Sequence, residues 1–490
     1  MGQRSAVRFY LNGTLQEVQA PKPTTTVLQF LREQRNLAGT KEGCAEGDCG
    51  ACTIVEASLD AAGQPCFRPI NACIRFLPTL DGRAFWTVEG VAAPDATLHP
   101  VQQAMVDFHG SQCGFCTPGF IMSLYALYAQ GVRQPDRARV LDQLSGNLCR
   151  CTGYRPIIDA AMAMGTYPAA GPDTDAVTKQ LLHLAELCQQ PLAYQAGGQS
   201  YAAPHTVADL ATQLAQQPDA VLLAGGTDIG LWVTKQLRSL DHIIYLADVA
   251  ALHRMSRADG TLSIGAGVLL DDAWREITHD YPEFTELWKR FASTPIRSSG
   301  TLVGNLGNGS PIGDTAPALI ALGAHILLRD GNQTREIPLE DLYIDYGKQA
   351  RRPGEFIQAV RVPQRDPQLM VASYKLSKRF DQDISAVCSA YALRLDDGVV
   401  ASIRIAHGGM AATSRRALHA EAALLGQPWQ ESAVQEAMQA LATDYQPMSD
   451  MRASDAYRMK AAQNLLYRFY LETATDIPTR VFSGDSHVFT

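Results

Sequence analysis

The 490-residue chain has no apolar run long enough to cross a bilayer, and no apolar signal core follows its first methionine. Its opening, MGQRSAVRFYLNGTLQEV, alternates apolar and polar residues as a strand does, so the protein is expected to be cytoplasmic, with no membrane partner. Met1-Gly2 with Ser5 has the outline of a myristoylation site. Against that reading, Val7, Phe9 and Leu11 look like the inward face of a first strand. Basic excess is also missing: the formal net charge is −8 with no basic stripe, which argues against nucleic acid as a partner. The 11 histidines form no tract, and there is no internal repeat or low-complexity segment. With 46% hydrophobic and 19% charged residues the chain is globular and not disordered, and its length predicts three or four domains.

Cysteine is what the sequence concentrates. Eight of the 11 cysteines (Cys44, Cys49, Cys52, Cys73, Cys113, Cys116, Cys149 and Cys151) lie in the first 151 residues, in tight spacings. A reducing compartment disfavours structural disulfides, so clustered thiols there point to metal. Cys66, Cys188 and Cys388 stand alone and read as small buried hydrophobes.

The pattern along the chain predicts a multidomain α+β protein. Residues 3–20 read as a hairpin turning at Asn12-Gly13, 24–35 as a helix, 39–52 as a Gly/Cys-rich loop, 53–59 as a strand and about 70–88 as a strand pair. From about 97 the apolar residues step at helical intervals through HPVQQAMVDFHG, PGFIMSLYALYAQG, RARVLDQLSGN and YRPIIDAAMAMG, which predicts a small bundle. Residues 168–190 look like a connector in which QLLHLAELC forms a short helix. Beyond 191 strand-like runs (AVLLAGG, HIIYLAD, LSIGAG, AHILLRD) alternate with helical ones. A last region has strands such as AVCSAYALRL and ends in helices. The expected division is 1–88, 89–167, a linker at 168–190, 191–370 and 371–490.

Cys44-x4-Cys49-x2-Cys52, followed by Cys73, is the plant-type [2Fe–2S] spacing. Three ligands must wrap one end of a cluster on a short loop, and Gly43, Gly47 and Gly50 let the backbone turn tightly there. The amides of such a loop can donate to the sulfurs. Four thiolates also suit structural zinc, but zinc ribbons usually present paired C-x2-C knuckles. The second set, Cys113-x2-Cys116 and Cys149-x-Cys151, precedes helices starting near Pro118 and Tyr154. Helix N-termini facing each other favour an anionic centre. Spacing alone leaves zinc as an alternative for this set.

The segments Cys44–Cys52, QCGFCTPGF (112–120) and GNLCRCTGYRPI (146–157) resemble the two iron–sulfur signatures of the xanthine dehydrogenase/aldehyde oxidase family of molybdenum hydroxylases. The resemblance implies a β-grasp ferredoxin-like domain at 1–88 and a helical [2Fe–2S] domain at 89–167. It implies an FAD-binding domain of the vanillyl-alcohol-oxidase/CO-dehydrogenase-flavoprotein type at 191–370 and a C-terminal flavoprotein domain at 371–490. It further implies two [2Fe–2S] clusters, the bundle-held one beside a molybdopterin, with Gln112 hydrogen-bonding the pterin.

The loop Ala224-Gly225-Gly226-Thr227-Asp228-Ile229-Gly230 follows a strand and can present successive amides to a pyrophosphate. It is not GxGxxG, so no Rossmann fold is indicated. Taken with SGTLVGN (299–305) and SPIGD (310–314), it resembles the FAD domain of the same family. By that resemblance Leu222, Leu223, Ala224, Gly225, Gly226, Thr227, Asp228, Ile229 and Gly230 wrap the pyrophosphate and Phe291 packs on the flavin. Thr301, Gly304 and Asn305 meet the phosphate or ribityl chain, Asp314 binds ribityl or ring polar groups, and Ile357 and Lys375 lie near the isoalloxazine. On the residues alone, Asp314 reads as a turn-capping carboxylate and Lys375 as a solvated strand lysine. Tyr346 and Asp383 are the candidates near an NAD⁺ acceptor.

No stretch within these 490 residues is left for molybdopterin-binding domains. The resemblance therefore implies an electron-transfer subunit, with catalytic residues on a large molybdopterin-binding partner and a dimer of heterodimers as the assembly. The partner would hydroxylate xanthine or hypoxanthine, and electrons would pass through both clusters to FAD and then NAD⁺. Clusters and flavin fused on one chain favour the purine-oxidising branch. An aldehyde or N-heterocycle hydroxylase served by the same relay is the near alternative. A non-catalytic zinc-stabilised adaptor, or a self-contained flavin reductase, are the readings from other classes.

Overall fold

The computed structural model describes residues 4–60, 62–477 and 479. Met1-Gly2 of the myristoylation outline, Gln3 of the first hairpin, and residues 478 and 480–490 of the last expected domain lie outside the described residues. The chain divides into two compact units: Met1–Ala250 with Ala292–Gly300, and Ala251–Phe291 with Thr301–Thr490.

In the first unit the strands Ala6–Leu11 and Thr14–Gln19 pair around Asn12 (φ 48°) and Gly13 (φ 80°), the left-handed turn that suits a right-twisted hairpin. The sheet runs Thr14–Gln19, Ala6–Leu11, Ala84–Trp86, Thr53–Leu59, Pro65–Asn71. Thr26 caps the following helix and forms a capping box with Gln29. Only Val27–Gln29 is α; Phe30–Gln34 widens into a π-turn, and the adjacent Phe30 and Leu31 are both buried.

Both faces of this sheet are covered. One (Val55, Ala57, Phe67, Ala84, Trp86) packs on the helices Pro100–Asp107, Thr117–Ala129 and Arg155–Ala163. The other (Phe9, Leu11, Ile54, Ile70, Phe85) packs with Leu192, Tyr201, Ile243 and Tyr245. Each large aliphatic or phenylalanine side chain among these contributes about 1.5–3 kcal/mol of burial. Helix Thr117–Ala129 is buried from Gly119 to Tyr128 and forms the centre of the bundle.

The expected short helix of the connector is a 14-residue one, Thr174–Leu187. Asp173 caps it early, and Val177, Leu181 and Leu184 step at helical spacing into the same core as the bundle. A small sheet ordered Leu192–Ala196, Gln199–Ala203, His242–Tyr245, Val221–Leu223 completes the unit, its last three strands parallel. Residues 292–300 pack against the bundle: Arg297 is ion-paired to Asp142 at 2.8 Å and the Thr294 hydroxyl donates to the Asp142 carbonyl at 2.8 Å.

The second unit holds an antiparallel sheet ordered Met255–Ala258, Thr261–Gly265, Phe356–Pro363, His325–Asp330, Gln333–Pro338. The helical run after it breaks at Tyr281-Pro282, giving Leu270–Asp280 and Thr285–Arg290, because proline supplies no amide to continue the ladder. A second sheet, Met370–Leu376, Val387–Asp396, Val399–Gly408 and Arg415–Arg416, packs under the helices Glu431–Asp444 and Asp455–Ala474. There Tyr391 stacks on Phe469 with ring centres 5.0 Å apart. No helix among the described residues is long and apolar enough to cross a membrane.

Candidate functional site

The first cysteine set is built by one loop and one strand end. Residues 44–52 form the loop that leads into the inner strand Thr53–Leu59, and Cys73 follows the edge strand Pro65–Asn71. The Ala72 amide donates to the Cys52 carbonyl at 3.1 Å, fixing the two segments together. The Cys44 thiol contacts those of Cys49 and Cys73, and Cys73 contacts Cys52. Among the described residues no three His, Cys, Asp or Glu side chains converge on a single metal ion. The four sulfurs instead touch in one continuous run, Cys49, Cys44, Cys73, Cys52. The amides of Glu46 and Cys49 both donate to Cys44 Sγ at 3.4 Å. Hydrogen bonds from the Cys49 and Cys73 thiols, then these amides, hold Cys44 far below the usual thiol range. Cys49 and Cys73, which donate to it, are pushed up. Four sulfurs with amides aimed at them fit an anionic iron–sulfur cluster.

The second set lies at two helix starts. Cys116 is the N-cap of Thr117–Ala129, and Cys149 and Cys151 precede Arg155–Ala163. Cys113 contacts Cys151 and Cys116 contacts Cys149, so the four thiols gather in two pairs. Burial, then the Cys149 contact, pushes Cys116 up to about 12. Thr152 Oγ1 lies 3.2 Å from Cys149 Sγ, and the Cys149 amide donates to the Tyr154 hydroxyl at 3.0 Å. Thiols on free helix ends also fit a cluster. Gln112 is exposed beside them.

The two sets are joined through backbone. The Leu148 amide, one residue before Cys149, donates to the carbonyl of Cys49 at 3.0 Å. A Cβ at Gly119 would fall 2.0 Å from the Gly50 carbonyl oxygen, and one at Gly50 would fall 2.2 Å from that of Gly146. Only glycine permits so close an approach, and Gly50 (φ 70°) needs it for its turn as well.

The glycine-rich loop sits directly against the first set. Leu222 and Leu223 end the strand Val221–Leu223, Ala224–Asp228 form the turn, and Ile229 and Gly230 open the helix Ile229–Thr234. A Cβ at Gly230 would come within 2.5 Å of the Ile74 carbonyl oxygen, and Ile74 adjoins Cys73. The Thr234 hydroxyl donates to the Ala45 carbonyl at 2.8 Å. At Gly225 a Cβ would meet the Ser299 carbonyl at 2.1 Å. At Gly225 and Gly226 the turn thus presents backbone without a side chain, which suits a pyrophosphate, and Asp228 is exposed at its end.

In the second unit Thr301 caps the helix Leu302–Asn308 by accepting from the Gly304 amide at 3.0 Å, leaving Gly304 exposed and Asn305 half-buried. Ile357, on Phe356–Pro363, lies beside this helix at Gly307. Phe291 is buried. Asp314 and Lys375 differ from their local readings as turn cap and solvated lysine: both are buried and paired at 2.5 Å, and Ser385 donates to the other carboxylate oxygen at 2.5 Å. The Asp314 side chain makes no cap hydrogen bond to its helix. Cys388 is buried with its thiol 3.9 Å from the Asp314 carbonyl. Cys66 and Cys188, expected to be buried, are half-exposed because one lies on the edge strand of its sheet and the other at a helix end. Tyr346 is 72% exposed. Asp383 closes its own loop, accepting from the amides of Lys378 and Arg379 at 2.8 and 2.9 Å. Burial raises its pKa, but those amides outweigh it and the group ends below the usual range. Thr234 and Ser385 belong to no motif in the sequence, and Leu148 is marked only as part of GNLCRCTGYRPI; each acts through a partner distant in the chain.

Residues 9–75 match the 2Fe-2S iron-sulfur cluster binding domain and 87–162 the [2Fe-2S] binding domain. Residues 193–365 match the FAD binding domain in molybdopterin dehydrogenase, and 372–473 the CO dehydrogenase flavoprotein C-terminal domain. The chain belongs to the molybdenum hydroxylase family, as its iron–sulfur and FAD portion. It is similar over 98% of its length to xanthine dehydrogenase of Emericella nidulans, at 32% identity and covering 40% of that protein. Over 94% of its length it is 28% identical to aldehyde oxidase 4 of Cavia porcellus, covering 39% of it. In structure, 55% of the chain superposes on 94% of a chain of carbon monoxide dehydrogenase from Hydrogenophaga pseudoflava, with TM-score 0.52 and 29% identity. The chain thus spans about 40% of the length of the curated relatives it matches. Its fold is multidomain α+β, with two [2Fe–2S] domains, an FAD-binding domain and a C-terminal flavoprotein domain.

Proposed function

We propose that this chain is the electron-transfer subunit of a cytoplasmic xanthine dehydrogenase, paired in a heterotetramer with a molybdopterin-binding subunit that oxidises xanthine or hypoxanthine. Electrons leave that partner by way of the Cys113/Cys116/Cys149/Cys151 set, then the Cys44/Cys49/Cys52/Cys73 set, and reach NAD⁺ from FAD. When bound, the clusters supply one-electron steps and the flavin converts these to a hydride. The 191–370 and 371–490 regions are assigned to the flavin half, with Leu222–Gly230, Phe291, Thr301, Gly304, Asn305, Asp314, Ile357 and Lys375 as its FAD contacts.

The carrying observation is the unbroken contact line within the first unit. It runs from Cys149 through the Leu148 amide to Cys49, and from Cys73 through Ile74 to Gly230. The order of the two sets along it is supported by exposure. Cys113 and Cys151 are open to solvent, with Phe108, Phe115, Leu148 and Tyr154 exposed in the same segments, whereas Cys52 and Cys73 are buried. Exposed apolar groups around a redox donor favour a protein partner at that end. On this chain the residues keep water from the first set, aim amides at its sulfurs, and hold the loop that receives the pyrophosphate. Similarity to an aldehyde oxidase favours, as a second reading, the same relay serving another hydroxylase.

The test is the visible spectrum of anaerobically purified protein, with iron, sulfide, zinc and flavin assayed on the same sample. The expected result is about four irons, from two two-iron clusters, and one FAD per chain. Xanthine-dependent NAD⁺ reduction should follow only when the molybdopterin subunit is added. A colourless, zinc-rich protein refutes the relay, and turnover by the isolated chain refutes the partner.

A further inference from the structure

We propose that Thr234 is a positioning residue that tunes the first cysteine set through a single peptide plane. This rests on the reading that Cys44, Cys49, Cys52 and Cys73 hold a [2Fe–2S] cluster.

Thr234 ends the helix that opens at the glycine-rich loop, and its hydroxyl donates to the Ala45 carbonyl at 2.8 Å. The same peptide unit carries the Glu46 amide, which donates to Cys44 Sγ at 3.4 Å. A peptide is planar, so anchoring its oxygen fixes the direction of its N–H. The anchor is needed because Ala45 stands at φ 56°, a left-handed conformation unfavourable for a residue with a Cβ. Without Thr234 the peptide is free to rotate toward an ordinary conformation and withdraw its amide from the sulfur. An amide hydrogen bond to a ligand sulfur favours the reduced, more negative state of a cluster, so its loss lowers the potential. A residue of the flavin-loop helix therefore sets the electronic character of the neighbouring centre.

The competing role for Thr234 is the common one of a helix hydroxyl bonding back to its own turn, here the Gly230 carbonyl at 3.1 Å. That role touches nothing at the sulfurs. The nearby Lys235–Glu46 pair, 3.5 Å apart, is solvent-exposed and holds the loop only weakly.

Thr234→Val and Thr234→Ser, made in the full chain, separate the two roles. After iron and sulfide assay, the first cluster is titrated redox-potentiometrically with EPR detection. Thr234→Val should shift to lower potential by up to about tenfold in the reduced-to-oxidised ratio, about 59 mV for one electron, and Thr234→Ser should restore it. ENDOR of the reduced protein after exchange into ²H₂O reads the same bond at any cluster occupancy: one exchangeable-proton coupling should vanish in Thr234→Val and return in Thr234→Ser. Unchanged potential and coupling in Thr234→Val, or a Thr234→Ser protein that behaves like it, overturns the proposal. Absence of the first cluster from the unsubstituted chain overturns instead the reading beneath it.

Discussion

The two cysteine sets are chemically alike and differ in their settings. The first is folded into the sheet: Cys52 and Cys73 are 1% and 2% exposed, and the loop carrying Cys44, Cys49 and Cys52 is pinned by backbone from the bundle and by the Thr234 hydroxyl from the helix after the glycine-rich turn. The second rests on two helix ends, with Cys113 and Cys151 exposed. A strand-borne loop gains amide donors from its tight turns, whereas a helix end gains the end-dipole and an open approach. The contrast teaches how one chain makes a centre with an inner side and a centre with an outer side from the same ligand type. An inner centre can be tuned by its neighbours, and an outer one depends on whatever covers it.

The largest effect should come from breaking one side of this contrast. Cys149→Ser removes a ligand of the outer set and should cut iron from about four to about two per chain, leaving the inner cluster's EPR signal intact; loss of both signals would mean that the centres are not independent. NADH-to-dye activity should persist while substrate-to-NAD⁺ turnover stops. Next in size, Gly119→Ala drives a methyl toward the Gly50 carbonyl, 2.0 Å from the new Cβ. Overpacking of this kind costs about 1–3 kcal/mol, which should appear as a lowered midpoint of thermal unfolding and slower electron transfer between the clusters.

Acid should sharpen the contrast by a comparable amount. His99 caps the first helix of the bundle, accepting from the Val101 amide at 3.2 Å between Tyr125 and Tyr128. Burial holds it neutral, its pKa pushed down to about 4 from 6.5. Between those values the unfolded chain takes up a proton that the folded chain refuses, so stability is lost as the pH falls from 6.5 toward 4. The loss is about 2 kcal/mol by about pH 5. The outer cluster should therefore bleach before the inner one on mild acidification, and His99→Asn, which keeps a capping oxygen without a titrating ring, should abolish the difference. The smallest effect on the chain itself is expected from Phe108→Ser, 39% exposed in the wild-type protein. Stability should stay within about 0.5 kcal/mol, while binding to the proposed molybdopterin subunit, measured by titration calorimetry, weakens by about tenfold.

What could be seen in the sequence was whatever is encoded locally. Asn12-Gly13 announces its hairpin, and the strand expected over 53–59 is the observed Thr53–Leu59. The helix starts near Pro118 and Tyr154 follow from proline and spacing, and the cysteine sets from their intervals. Hidden were the features created by residues that meet only on folding. The Leu148 amide finds Cys49 from 99 positions away, Thr234 reaches Ala45 across 189, and Ser385 reaches Asp314 across 71. No residue type or spacing near Thr234 marks it, since threonine at a helix end is ordinary. The π-turn at Phe30–Gln34 was equally silent, because the demand to bury two neighbouring side chains arises from the sheet beneath them.

The doubly covered first sheet has a practical consequence for dissection. A ferredoxin-like segment invites excision as a portable electron carrier, and a cut after residue 88 looks clean on paper. Such a fragment would bare Val55, Phe67 and Trp86 on one side and Phe9, Ile54 and Ile70 on the other. It would also strip the Cys49 carbonyl of its amide and the Ala45 carbonyl of its hydroxyl. The piece would be a sticky two-faced ribbon with a slack ligand loop, so redesign as a free-standing carrier has to repaint both faces before the truncation is made.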